Sequence, residues 1–270
     1  MRIFAIGDVQ GCFRTLTALL KKIDFDQKND ELWFVGDLIN RGKDSDKVLD
    51  FVMELGDSAK TVLGNHELNL LATHEGLRQQ KELDTMSKIF DSSRCKKYLN
   101  WIKKLPLAHA DHGILMVHAG IHPTWNEKQA LKESKRLSKR IKNDTWQILW
   151  KGSKKEPPLW SDDAERDVRD AAALAYFIGV RTIDKKWRVV KEFDGHPEDC
   201  PNSNWRPWFE VRETKLSSKV VFGHWAGLGF HTHKKFYGID TGCVWGGELT
   251  AIRLDTDKPI RTSVSSKEKT

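Results

Sequence analysis

Five short apolar runs in this chain each end in a turn that sets glycine beside a carboxylate, amide, imidazole or guanidinium, and this recurrence narrows the fold more than any other feature. The turns are Gly7-Asp8-Val9-Gln10-Gly11, Gly36-Asp37-Leu38-Ile39-Asn40-Arg41-Gly42, Gly64-Asn65-His66-Glu67, His118-Ala119-Gly120 and Gly223-His224-Trp225. The runs before them, residues 2–6, 32–35, 61–63, 114–117 and 219–222, predict buried strands. Leu16, Leu19, Leu20 and Ile23, and again Val48, Leu49, Val52 and Leu55, recur at helical spacing between them. Strands alternating with such helices make an α/β sheet, and in open α/β sheets ligands gather at the carboxyl ends of the strands, where these turns fall.

A single Gly-Asp or Gly-Asn is an ordinary turn dipeptide, and a lone histidine is more often structural than catalytic. Five in this order place Asp, Asn and His side chains at one point, and their mixed oxygen and nitrogen donors suit a pair of divalent ions. Two such ions roughly 3.5 to 4 Å apart clamp the attacking and leaving oxygens of an in-line displacement at phosphorus. Arg41 offers a bidentate grip on phosphate oxygens that a lysine would not.

The 270 residues, 39% hydrophobic and 31% charged, suffice for one large domain over 1–270 with a substantial core. Residues 75–104 and 127–175 predict helical, cap-like insertions, and residues 194–207 a loop rich in Pro, Gly and Asn. Further strands are expected at 236–239 and 249–254, and a polar, flexible tail over 256–270. No apolar run nears the roughly 20 residues of a membrane span, and the N-terminal apolar stretch is too short for a secretory segment, so a cytoplasmic protein with no membrane partner is expected. Cys12, Cys95, Cys200 and Cys243 are too scattered for a zinc ribbon or a disulfide framework and read as reduced thiols. A net charge of +7, with ten lysines and arginines between residues 128 and 155, favours a polyanionic partner such as a nucleotide or RNA, although a solvated helix face gives the same pattern. Nine of the eleven tryptophans lie beyond residue 120, where they serve a core or stack on nucleobases. His109, His112, His122, His231 and His233 read as surface or turn residues.

Taken together, G-D-x-x-G, G-D-x-x-x-R-G, G-N-H-E, H-A-G and G-H-W resemble the calcineurin-like metallophosphoesterases, the superfamily of the protein Ser/Thr phosphatases. Additional stretches resemble its symmetrical bis(5′-nucleosyl)-tetraphosphatase branch, which hydrolyses diadenosine tetraphosphate. They are Gly7 through Cys12, Asn100-Trp101, His118 through Ile121, Pro207-Trp208-Phe209, Phe222 through Trp225, and Asp240-Thr241-Gly242-Cys243-Val244-Trp245-Gly246-Gly247. The likeness runs over nearly the whole chain and is weakest between residues 127 and 204.

The resemblance implies a four-layer αββα sandwich with helical additions and a dinuclear site. Asp8 and Gln10 would serve one metal, Asp37 would bridge both, and Asn65, His118 and His224 would serve the other. Mn²⁺ is the expected ion, with Co²⁺ and Mg²⁺ as alternatives. His66 would be the general acid and Arg41 the phosphoryl contact, with Arg181 as a second. Trp225 and Trp245 would either stack on adenine or pack in the core. The implied reaction is attack by a metal-bridging hydroxide on a dinucleoside polyphosphate, giving two ADP from diadenosine tetraphosphate. An RNA whose 5′ end carries a nucleoside through a tetraphosphate presents the same bond, so decapping is a related expectation. The sequence leaves oligomeric state open.

Two positions depart from the superfamily pattern. Gln10 stands where histidine is usual, and its neutral amide either ligates weakly, acts through water, or only orients a ligand. Asn40 stands where the protein phosphatases have an aspartate behind the acid histidine, which favours an anhydride substrate with a good leaving group. A phosphoprotein phosphatase and an RNA-binding protein without this activity are the alternatives.

Overall fold

In the computed structural model, residues 1–154 and 156–268 are described; Lys155, the last cation of the basic stretch, and the final two residues of the expected tail lie outside them. The first part of the chain lays down β1 (Arg2–Ile6), α1 (Phe13–Lys22), β2 (Asp30–Phe34), α2 (Ser45–Glu54), β3 (Ala59–Thr61), α3 (Asn65–His74), α4 (Ser87–Phe90), α5 (Cys95–Ile102), β4 (Ala108–Asp111) and β5 (Ile114–Val117). Three helices follow, α6 (Glu127–Lys142), α7 (Gln147–Lys154) and α8 (Arg166–Gly179). Short strands β6 (Thr182–Ile183), β7 (Val189–Val190) and β8 (Arg206–Pro207) then precede β9 (Lys219–Phe222), β10 (His231–His233), β11 (Phe236–Gly238), β12 (Glu248–Arg253) and β13 (Ile260–Ser265).

Two five-stranded sheets, ordered β13-β12-β1-β2-β3 and β10-β11-β9-β5-β4, lie face to face. β1 runs parallel to β2, with Ala5 opposite Trp33, and antiparallel to β12, with Phe4 opposite Arg253. Alternation along β1 builds two cores from one strand. Ile3 and Ala5 join Trp33, Ile114, Met116 and Val221 between the sheets, while Phe4 and Ile6 join Leu16, Leu19, Val48 and Leu49 beneath α1 and α2. On the other sheet the outer layer comes from α6 and α8. Ser134 Oγ accepts from Leu107 N (3.1 Å) and Ala108 N (2.9 Å), and Ala119 N donates to Phe177 O at 2.9 Å. The result is the αββα sandwich expected from the resemblance.

Several local expectations are corrected. Residues 260–265 do not fray: β13 pairs with β12 along its length, Leu249 opposite Val264 and Ala251 opposite Thr262. Residues 75–104 are not one helical stretch, since 75–86 are irregular before α4 and α5. That loop delivers Asp84, whose buried carboxylate takes Arg78 at 2.5 Å. In the basic stretch, Arg136 and Arg140 bind Asp170 on α8 at 2.5 and 3.0 Å and so join two helices rather than meet solvent.

His122 is buried, not at the surface, and its ring sits 4.9 Å from both Trp160 and Tyr176 and 5.6 Å from Trp187. Burial, with Arg212 alongside, pushes its pKa down to about 3. The folded protein therefore keeps it neutral, while the unfolded chain protonates it near pH 6.5, so stability falls as pH drops through the window from 6.5 to 3. Thermal unfolding across that window is expected to show this loss, at most about 1.4 kcal/mol per pH unit from this group. His122→Asn, which keeps an acceptor for Thr124 N, is expected to flatten the slope. An unchanged slope in that variant would assign the acid sensitivity elsewhere.

Candidate active site

The five turns meet at the carboxyl ends of β1, β2, β5 and β9 and at the start of α3, around a cleft of about 370 Å³. Gln10, Asp37, Arg41, Asn65, His66, Arg181, His224 and Trp245 line it, as do Asp194 and Asp240, which carried no assigned role in the sequence. The backbone here is held in a demanding conformation. Gln10, Asp37, Asn40, Arg41 and His224 have φ between 44° and 75°, and they are half of the non-glycine residues with positive φ among those described. Such geometry costs roughly 1–3 kcal/mol per residue and persists only where surrounding contacts enforce it.

Close approach explains two of the glycines. A β-carbon on Gly64 would run into the Asp37 carboxylate, and one on Gly223 into that of Asp8. Glu67 supplies much of the enforcement. Its carboxylate accepts from Asp37 N (2.9 Å), Leu38 N (2.8 Å) and Gly64 N (2.9 Å), tying the β2 turn to the start of α3. Burial and the neighbouring Asp37 push Glu67 up to about 8, against these three N–H groups, which favour the charged form. The sequence shows Glu67 only as the last residue of the Gly64-Asn65-His66-Glu67 turn and assigns it no role. The signal was available as an acidic residue at the third position of a helix opening on glycine, which can form the carboxylate half of a capping box.

Asp37 is the hub. Its Oδ1 accepts from His66 N at 2.8 Å and lies 3.5 Å from His118 Nε2, while Oδ2 lies 3.7 Å from His66 Nε2 and 3.5 Å from Gln10 Nε2. Burial works against its ionisation, but His118 and His66 outweigh this and hold it below the usual carboxylate range. His118 bonds the Val35 carbonyl through Nδ1 at 2.9 Å. A carbonyl only accepts, so Nδ1 carries the hydrogen and Nε2 offers its lone pair. That lone pair faces Asn65 Oδ1 at 3.1 Å as well as Asp37.

His224 contacts the Gly179 backbone, and its buried Nε2 has no partner among the described residues. Burial holds His66, His118 and His224 below the ordinary imidazole value, so all three are neutral near pH 7. Asp8 receives His224 N at 3.1 and 3.2 Å. Burial, then Asp240 and Asp37, push its carboxyl well above the usual range. Asp240 itself is pushed up to about 6, by burial first.

These residues fit a metal. Asp37, His118 and His224 have ligand atoms within 4.8 Å of one another, and neutral imidazole lone pairs converge with a carboxylate and an amide oxygen without a hydrogen to share. A bound cation satisfies such an arrangement. Gln10 and Asn65 adjoin the same cluster, and Asp8 reaches it from the β1 side.

Around Arg41, Asp84 is the organiser. Asn40 Nδ2 donates to Asp84 Oδ1 at 2.8 Å, Arg41 approaches the same atom at 3.3 Å, and the Arg41 guanidinium lies 5.9 Å from the Trp245 ring. With Asn40 engaged in this way, the buried His66 Nδ1 has no partner among the described residues. Arg181 also lines the cleft and donates to His224 O at 3.4 Å. The two tryptophans divide. Trp245 is 59% exposed on the cleft rim, whereas Trp225 is buried and its indole N–H donates to Gly195 O at 2.9 Å. Trp225 therefore packs within the fold and is corrected as a base-stacking surface.

Residues 1–227 match the family model for calcineurin-like phosphoesterases. The symmetrical bis(5′-nucleosyl)-tetraphosphatase of Vibrio parahaemolyticus serotype O3:K6 is 38% identical, the match covering 97% of this chain and 98% of that one. The protein of the same name from Methylococcus capsulatus is 39% identical, over 94% and 92% respectively. A solved structure titled as a candidate diadenosine tetraphosphatase superposes with a TM-score of 0.64 at 26% identity, covering 98% of this chain and 93% of its own. With the sandwich, the converging donor set and a match over most of its length, this chain belongs to the calcineurin-like phosphoesterase family and is a hydrolase of that family.

Proposed function

We propose that the protein hydrolyses diadenosine tetraphosphate and related dinucleoside polyphosphates symmetrically, giving two ADP from the former. Two divalent ions, Mn²⁺ by preference, would neutralise phosphate oxygens and lower the pKa of the attacking water when bound. Asp8 and Gln10 would hold one ion, Asn65, His118 and His224 the other, and Asp37 both. Arg41 and Arg181, which both line the cleft, grip the oxygens of the attacked phosphoryl group. His66 gives its proton to the departing phosphate oxygen, gaining it as the polyanionic substrate raises its affinity for protons. Trp245 offers its exposed ring to an adenine.

The observation that carries this choice of substrate is the commitment of Asn40 to Asp84. His66 is left without the carboxylate that would support it as an acid toward a poor alkoxide leaving group. A nucleoside diphosphate needs less help to leave. The names of the relatives point the same way.

We extend this reading to RNA capped by a nucleoside tetraphosphate, because Lys128, Lys132, Lys135, Lys139 and Lys142 form an exposed stripe on α6 that suits a polyanion. The test is to compare kcat/KM for diadenosine tetraphosphate and for a phosphoserine peptide with Mn²⁺, before and after chelation. The expected outcome is a strong preference for the dinucleotide, lost with EDTA and restored by Mn²⁺. Preference for the peptide would overturn the substrate, and activity that survives chelation would overturn the metal site.

A further inference from the structure

A second hollow, of about 450 Å³, opens beside the catalytic cleft and shares Arg41 with it. Consecutive residues divide the two: Val244 lines the second hollow and Trp245 the first. Four cations, Arg14, Arg41, Lys43 and Lys88, face the second hollow against two carboxylates, Asp44 and Glu268.

The two carboxylates offset these cations only in part. Asp44 pairs with Lys47 at 2.9 Å and more distantly with Lys88 at 3.9 Å, and Glu268 accepts from Thr15 N and Oγ1, each at 3.2 Å. Lys88 is held on the wall by donating to Lys43 O at 2.7 Å. Arg14 and Lys43 have no carboxylate partner among the described residues, although they stand on a chain rich in acidic groups. With Arg41 held by Asp84 and Lys88 by Asp44, these two uncompensated cations leave the concavity with excess positive charge that an entering anion would offset.

We propose that this hollow is the subsite for the second nucleoside diphosphate half of the substrate. The inference rests on the dinucleotide reading above and deepens it. A cleft of about 370 Å³ lies at the small end of the roughly 300–1,000 Å³ that small-molecule sites occupy, and a symmetrical substrate has two bulky halves flanking the broken bond. Asp84 and Trp245 fix Arg41 at the boundary between the hollows. One nucleoside diphosphate lies along Trp245. The phosphates of the other pass Arg41 and meet Arg14, Lys43 and Lys88. The same subsite separates dinucleoside polyphosphates from phosphomonoesters, which have nothing to place there.

The test is the triple variant Arg14→Ala, Lys43→Ala, Lys88→Ala and, separately, Lys43→Glu, each loaded with Mn²⁺. The readout is the ratio of kcat/KM for diadenosine tetraphosphate to kcat/KM for bis(p-nitrophenyl) phosphate, a diester too small to span both hollows. The ratio is expected to fall about tenfold or more in the triple variant, through KM, because charge-assisted phosphate contacts are lost. Lys43→Glu should move it in the same direction. A ratio within twofold of wild type in both variants would overturn the subsite, and misfolding cannot imitate the expected result because it lowers both activities together. Wild-type enzyme that turns over the small diester but not the dinucleotide would remove the dinucleotide reading itself, and the subsite with it.

Discussion

Asp37→Asn is expected to lower kcat/KM for the dinucleotide by about 10³-fold or more, since it removes the charge proposed to hold both ions and with it several kcal/mol of transition-state stabilisation. Asparagine is the informative replacement. It tolerates the positive φ of 49° at this position and keeps an oxygen for the 2.8 Å bond from His66 N, so the turn retains its shape. Steady-state kinetics with metal analysis of the purified variant would check the result. The variant should lose bound metal while its metal-free form unfolds within a few degrees of the metal-free wild type. Full activity in Asp37→Asn would mean that the cluster of Asp37, His118 and His224 is not where the chemistry occurs.

Glu67→Ala should produce the largest loss of stability in the site. The side chain satisfies three buried N–H groups, and leaving each unpaired costs about 1–3 kcal/mol, so the total is about 3 kcal/mol at the least. For a chain of this size that corresponds to a fall in Tm of about 6–12 °C or more, measurable by thermal unfolding of the metal-free protein. Activity should fall as well, because the Asp37 backbone is one of the three donors. Glu67→Gln keeps one oxygen but turns an NH₂ group toward a donor, and should lie between wild type and alanine. A change in Tm under 2 °C for Glu67→Ala would reduce Glu67 to a helix-end charge acting only on the dipole.

The proposed ligands stood out in the sequence because their chemistry leaves few substitutes. Asp8, Asp37, Asn65, His118 and His224 sit at strand ends beside glycines that close approach requires, and apolar runs predicted those strands. What escaped the sequence depends on contacts between distant segments. Asp84 lies in an irregular loop, 44 residues from the Asn40 that it engages, and no local pattern marks it. His122 reads as a turn residue until α8 and the segment around Trp187 close over it. β13 was hidden by its polar composition, yet Ile260, Thr262 and Val264 alternate as β-branched residues, a period-two signal that the surrounding serines and lysines obscured. Trp225 and Trp245 look alike beside glycine-bearing turns. Only the fold distinguishes the one whose indole is committed to the Gly195 carbonyl from the one standing at the cleft rim.

The position of the broken bond is the most direct measure of the proposed chemistry. Purified protein incubated with diadenosine tetraphosphate and Mn²⁺, its products separated by ion-exchange chromatography, is predicted to yield ADP alone from the first turnovers onward. AMP and ATP in equal amounts would contradict the account, because attack would then fall at an outer phosphate and the substrate could not straddle Arg41 with one nucleoside diphosphate on each side.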